Sequence, residues 1–128
     1  MALVTPTVTD VGDGYGHSKL ASWTLTSSDT TGVALGPEIA QHTDLCWHAT
    51  GTWGGATVAI QGSNTNTDGL FGAMTNVSGG SAITWTADGA PKQSIEKPAY
   101  VRPKLTTAGS GASVVVTLFA RRNTIRRG

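Results

Sequence analysis

Three runs in this chain alternate between two kinds of side chain with a period of two: DLCWHAT at 44–50, ATVAIQ at 56–61 and SVVVTLFA at 113–120. Successive side chains of an extended backbone point to opposite faces, so this period commits each run to a strand. An amphipathic helix would repeat its apolar positions every three to four residues. No segment carries such a helical stripe, and the 17 glycines and many Ser and Thr residues work against one. The chain is therefore expected to be all-β. Further strands are read at 19–26 (KLASWTLT), at 70–76 (LFGAMTN), around Ile83 and Trp85 with 94–95 continuing them, and at 99–106 (AYVRPKLT). A short extended piece is expected at GVALGPEI. Between the strands lie GSNTNTDG, TADG and TAGSGA, clusters of residues that tolerate turn geometry and bond their own backbone.

Local detail sharpens the expectation. The runs 56–61 and 70–76 flank GSNTNTDG and read as a hairpin. Leu20, Trp23 and Leu25 break strict alternation, which predicts a bulge near Ser22. Pro103 has no amide hydrogen and predicts an edge or a bulge for its strand. In SVVVTLFA both faces are largely apolar, Val114, Val116 and Leu118 on one and Val115, Thr117 and Phe119 on the other. Such a strand is central in a sheet or covered by another subunit. A chain of 128 residues makes one domain of ordinary size. Seven or eight strands without a helix then predict a single-domain β-sandwich, jelly-roll-like, over 18–120. An extended N-terminal arm occupies 1–17 and a short basic tail 121–128.

The net charge of +1 is unevenly laid out. Four of the nine basic residues, Arg121, Arg122, Arg126 and Arg127, fall in RRNTIRRG, which leaves five basic residues against eight acidic ones in the body. A broad cationic field is thereby excluded and direct nucleic-acid binding is not expected. The tail could equally bind an acidic protein surface or simply solubilise a strand end. The single Cys46 excludes an internal disulfide. MALVTPTVTD lacks the basic start and apolar core of an export signal. No apolar run approaches the ~20 residues that span a membrane.

The chemistry-bearing residues do not assemble into a catalytic pattern. His17, His42 and His48 lack metal-ligand spacing, and neither CxxC nor HExxH occurs. Asp44, Asp68, Asp88 and Glu96 could supply the two carboxylates of a glycosidase, but Asp68 and Asp88 sit in DG turns, where a carboxylate ordinarily holds local backbone. There is no GxSxG elbow and no phosphate-cradling GxxxxGK[ST]. Cys46 reads as a strand thiol rather than a nucleophile. No enzyme activity, cofactor or metal is expected. Trp23, Trp47 and Trp85 have strand contexts that predict core packing. Trp53, beside Gly54 and Gly55, is the best exposed candidate and leaves a carbohydrate-binding module as one alternative. Candidate contact residues are Val4, Thr5 and Val8 of the arm, which could add to a neighbour's sheet, together with Trp53 and the four tail arginines.

Four stretches together resemble a known class: GTWGGATVAIQGSN, the turn before LFGAMTN, YVRPKLTTAGSGASVVVTLFARR, and the early strand with Trp23. The class is the small β-sandwich or jelly-roll head decoration, or cement, proteins of tailed double-stranded DNA bacteriophages, and the similarity covers residues 38–122. It implies a viral structural protein, made in the host bacterial cytoplasm and placed on the capsid exterior of the virion. Such a protein bridges major capsid protein subunits as a homo-oligomer, a trimer or dimer. Read from the residues, Val115 and Phe119, or the opposite face of their strand, could become buried in such an oligomer. A tail or fibre component is the other virion reading.

Overall fold

The computed structural model describes residues 3–11, 18–36 and 44–121. Its period-two runs form eleven strands: β1 (Leu3–Val4), β2 (Thr7–Val11), β3 (Ser18–Thr26), β4 (Thr31–Gly32), β5 (Asp44–Thr52), β6 (Thr57–Ser63), β7 (Gly72–Ala73), β8 (Thr84–Trp85), β9 (Lys92–Gln93), β10 (Tyr100–Thr107) and β11 (Ser113–Arg121). A 3-10 turn at Asp68–Leu70 is the described helical piece. The strands form two sheets. One has the order β1-β4-β10-β6-β7, with β8 also on β6; the other has the order β2-β3-β11-β5-β9. All ladders are antiparallel except β1 with β4. The described residues thus form a mostly antiparallel two-sheet sandwich.

The ladders nest. β3 pairs β11, β4 pairs β10, β5 pairs β9, and β6 pairs β7 and β8. Two further ladders, β10 with β6 and β11 with β5, fold this ribbon onto itself. On one flank, hydrogen bonds join the chain after β7 to the chain at and after β9: Ile95 N donates to Thr75 O and Val77 N to Gln93 O, while Ser94 N donates to Leu45 O within the five-stranded sheet. On the other flank the chain from β1 to β2 passes from the edge of one sheet to the edge of the other.

Between the sheets lies a core with tryptophan at its centre. Trp23 and Trp47 are fully buried and stacked, with ring centroids 5.9 Å apart. Val58, Ile60, Val101, Val114, Val116 and Leu118 pack in the same core. A buried indole N–H needs an acceptor, and each has one: Val33 O for Trp23 at 2.9 Å, Ser94 Oγ for Trp47 at 3.3 Å and Ala90 O for Trp85 at 3.2 Å. The core role read for these three tryptophans is what the structure shows.

Three local expectations are corrected. No bulge interrupts β3. Its register with β11 is continuous from Lys19 to Thr26, because Ala21, Trp23 and Leu25 take the inward positions and Leu20 simply faces out. The register shift lies in β10 instead, between Leu105 and Thr107.

Of the edge or bulge expected for Pro103, the ladder shows the bulge. Pro103 is inside the sheet, in β10 between β4 and β6, but the register of the neighbouring chain slips by one residue between the pairing of Lys104 with Thr31 and that of Val101 with Leu35. The amides of Val101 and Leu105 face the β4 side, donating to Leu35 O and Thr30 O, so by alternation position 103 faces that side too. There the neighbouring chain turns away, and Val33 N donates to Val4 O. Gly32 makes the room: a Cβ on it would lie 2.9 Å from Pro103 Cδ and 2.7 Å from Trp23 Cδ1. The missing amide hydrogen therefore leaves no ladder bond unmade.

The second correction concerns the hairpin, and the third the stretch 94–95. Its second arm is two residues long, Gly72–Ala73, paired with Gln61 and Gly62, rather than a run from residue 70. The residues before it are drawn onto a side chain of β10. Likewise 94–95 does not continue β8, since β9 carries that stretch to β5 in the other sheet.

Candidate contact surfaces

Each sheet has an inward face in the core and an outward face, and the two outward faces differ. On the six-stranded sheet, alternation along β10 sends Tyr100, Arg102 and Lys104 outward. Arg102 is nonetheless buried. Its Nε donates to Gln61 Oε1 at 3.0 Å, its Nη2 lies 2.9 Å from Asp68 Oδ1, and its guanidinium stacks 4.0 Å above the Phe71 ring. The polar loop GSNTNTDG is thus folded back across its own sheet, with Asp68 and Phe71 closing over Arg102. A planar guanidinium suits this place because it bonds in its plane and stacks on its face.

On the five-stranded sheet, direct cross-strand partners share a face. The outward positions are Thr7 and Thr9 of β2, Leu20, Ser22 and Thr24 of β3, Val115, Thr117 and Phe119 of β11, and Cys46, His48 and Thr50 of β5. Leu20, Phe119 and Cys46 form one cross-strand row. Leu20 and Phe119 are each 37% exposed. Among the described residues of these four strands, the charges on this face are Asp44 and Arg121. Both lie at one end and bond each other, Arg121 Nη2 to Asp44 Oδ2 at 2.6 Å. Burial pushes the Cys46 thiol above its usual value.

The loops at the rim are held by their own carboxylates. Asp88 Oδ1 accepts from Trp53 Nε1 at 2.8 Å and from Gly51 N at 2.9 Å. Those bonds, the indole's first, hold its carboxyl below the ordinary range. Glu96 accepts from Thr75 Oγ1 and Thr75 N and is lowered for the same reason, the hydroxyl contributing most. His48 Nε2 lies 2.8 Å from Gly89 O. The turn out of β5 needs Gly54 and Gly55, which have φ of 54° and 86°; a Cβ on Gly54 would lie 2.1 Å from Ser110 O.

The candidate contact residues are spread over the sandwich. Val4 pairs with Gly32 and packs partly against the core, Thr5 is exposed between β1 and β2, and Val8 pairs with Ala21. Residues Leu3–Val4 and Thr7–Val11 of the arm are therefore edge strands of this chain's own sheets. Trp53 is half-buried, with its indole nitrogen tied to Asp88, so it presents less than an open platform. It sits beyond the Ser113 end of β11, with Arg121 at the other end. Arg122, Arg126 and Arg127 lie outside the described residues, as do His17 and His42.

Among the described residues, no group of three or more His, Cys, Asp or Glu side chains could hold a metal ion. No described helix is long and apolar enough to cross a membrane. A shallow depression beside Gly62, Asn64, Met74 and Glu96 is open to solvent. Comparison with protein-family models, with curated proteins and with solved structures gave no match. Sequence reasoning passed over Arg102 as a loop anchor and Leu20 as an outward residue. The first had a signal in its alternation with Val101, and the second was hidden by the expected bulge.

Proposed function

We propose that this chain is a structural virion protein, a head decoration protein that binds the outside of a phage capsid as a homo-oligomer and braces it by bridging major capsid protein subunits. The observation that carries the reading is the outward face of the five-stranded sheet, broad and without an uncompensated charge among its described residues. Solvent-facing sheets ordinarily alternate apolar-in with polar-out, so outward Leu20, Val115 and Phe119 suit contact with protein. The rim carboxylates and Arg102 are engaged in holding loops, which suits a rigid building block.

The nested ladders support the jelly-roll form of the sandwich, an antiparallel ribbon rolled so that its first strand meets its last. In this reading β3 to β11 are that ribbon, the N-terminal strands are an arm laid along both sheet edges, and the basic tail from Arg121 meets acidic shell surface. A shell repeats each site many times, so modest contacts by a multivalent brace add to strong retention.

The test is to add the purified full chain to expanded shells that lack it, sediment the mixture, and heat the pellets. The reading expects saturable occupancy and a higher rupture temperature. Neutral residues in place of Arg121, Arg122, Arg126 and Arg127 should flatten the salt dependence of occupancy. No co-sedimentation at any salt concentration would contradict the reading.

A further inference from the structure

We propose that the outward face of the five-stranded sheet is the docking site for a second copy of this chain, packed face to face about a two-fold axis. The inference deepens the capsid reading and rests on its premise that this face is a protein contact.

Charge argues for a second copy. A two-fold contact sets a patch against itself, so an uncompensated charge near the axis would meet its twin. Across Thr7, Thr9, Leu20, Ser22, Thr24, Val115, Thr117, Phe119, Cys46, His48 and Thr50 there is no carboxylate, ammonium or guanidinium. Asp44 and Arg121, at the end of the face, already neutralise each other. Lys19 and Asp10 are cross-strand partners on the opposite side of their strands and also bond each other. By contrast, the outward face of the six-stranded sheet carries Lys104 and has the loop with Asp68 and Phe71 folded over Arg102, so it presents neither a charge-free nor a flat surface to a copy of itself.

Area argues the same way. Three strands of nine residues and one of five, about 4.8 Å apart and about 3.3 Å per residue, present roughly 500 Å². Two such faces remove on the order of 1,000 Å² from water, about what a specific interface has to reach, which suits a dimer that forms as concentration rises. The anchors are central, since Phe119 and Val115 lie on β11, the middle strand, with Leu20 and Cys46 beside Phe119. Packed sheets interdigitate at a spacing of about 10 Å, and the small Thr and Ser side chains around these anchors leave room for that approach.

Sedimentation velocity of the full chain, from low micromolar to high concentration, tests this directly. The expected result is a species of twice the 13.1 kDa chain mass at high concentration. Phe119→Lys combined with Val115→Lys should weaken association at least about a hundredfold, because two pairs of like charges would face each other across the axis. Thr24→Lys, at an exposed position on the same face, serves if the double variant does not fold. Lys104→Gln, on the other sheet, should leave the dimer intact. Cys46 provides a second readout, its labelling by a maleimide slowing as protein concentration rises.

A wild-type chain that stays monomeric throughout would overturn the inference, as would a dimer indifferent to Phe119→Lys, Val115→Lys and Thr24→Lys. So would a monomer whose Cys46 labels faster once residues 122–128 are removed, since the chain's own tail would then be the cover. A dimer that fails to bind shells would remove the capsid reading and leave the inference standing. A monomer that binds them would do the reverse.

Discussion

The outward face of the six-stranded sheet is occupied by the chain itself, with Asp68 and Phe71 folded over Arg102, whereas that of the five-stranded sheet carries Leu20, Val115 and Phe119 and meets a described loop at its β5 edge, where His48 lies against Gly89 O. Both sheets bury their inner residues in one core, so the difference lies in what each does with its second side. A buried cation needs fixed partners, and Arg102 finds them by capturing a loop. A face whose described charges, Asp44 and Arg121, already pair with each other needs no such loop, and it is the face proposed to dock a second copy.

Substitutions can break or sharpen this contrast. The largest effect is expected beneath both faces. Trp47→Ala should cost about 3–5 kcal/mol in urea unfolding, because the fully buried indole packs on Trp23 and bonds Ser94. Next comes the occupied face. Arg102→Ala should cost about 2 kcal/mol through the lost hydrogen bonds and stacking, and limited proteolysis should cut near Asp68 faster. If it left the loop as resistant as before, the clamp would be an incidental contact.

On the open face, Phe119→Lys should change monomer stability by less than about 1 kcal/mol, since the side chain is 37% exposed, while altering assembly far more. Equal losses of stability from Arg102→Ala and Phe119→Lys would erase the distinction between the faces. Asp68→Ala removes an exposed carboxylate from the clamp and should cost at most about 0.5 kcal/mol, Gln61 and Phe71 remaining.

The smallest expected effect is in the rim. Asp88 and Glu96 have folded pKa values below their ordinary ones, so the unfolded chain binds protons first as pH falls. Their stabilisation is complete above the unfolded values, 4.5 for Glu96 and 3.8 for Asp88, and is lost as pH drops through the lower folded values. Urea midpoints of Asp88→Asn and Glu96→Gln should show a shallower acid slope than the parent. An unchanged slope would place the acid sensitivity elsewhere.

Much of the sandwich is legible in the sequence because period two reports which residues share a face. Leu45, Trp47 and Ala49, and Val114, Val116 and Leu118, are buried as their alternation demands. Periodicity says nothing of what lies across a strand. Pro103 suits a central strand only because Gly32 and Val33 draw away beside it, a fact about a segment seventy residues earlier. The shortened hairpin depends in the same way on Arg102, far along the chain from the loop it holds. The apolar outward side of β11 was visible, but its breadth needed Leu20 and Cys46 brought alongside by the ladders. Of the contact residues read from the sequence, the structure leaves Trp53 and Arg121 at opposite ends of one sheet and Val4, Thr5 and Val8 along its own edges.

Cryo-electron microscopy of purified virions produced by the genome that encodes this chain tests the central claim most directly. The account predicts repeated copies on the capsid exterior, bridging shell subunits, each with the Phe119 face of its five-stranded sheet covered by protein. Copies found only in the tail, no copies in the virion, or bound copies with that face open to solvent would contradict it.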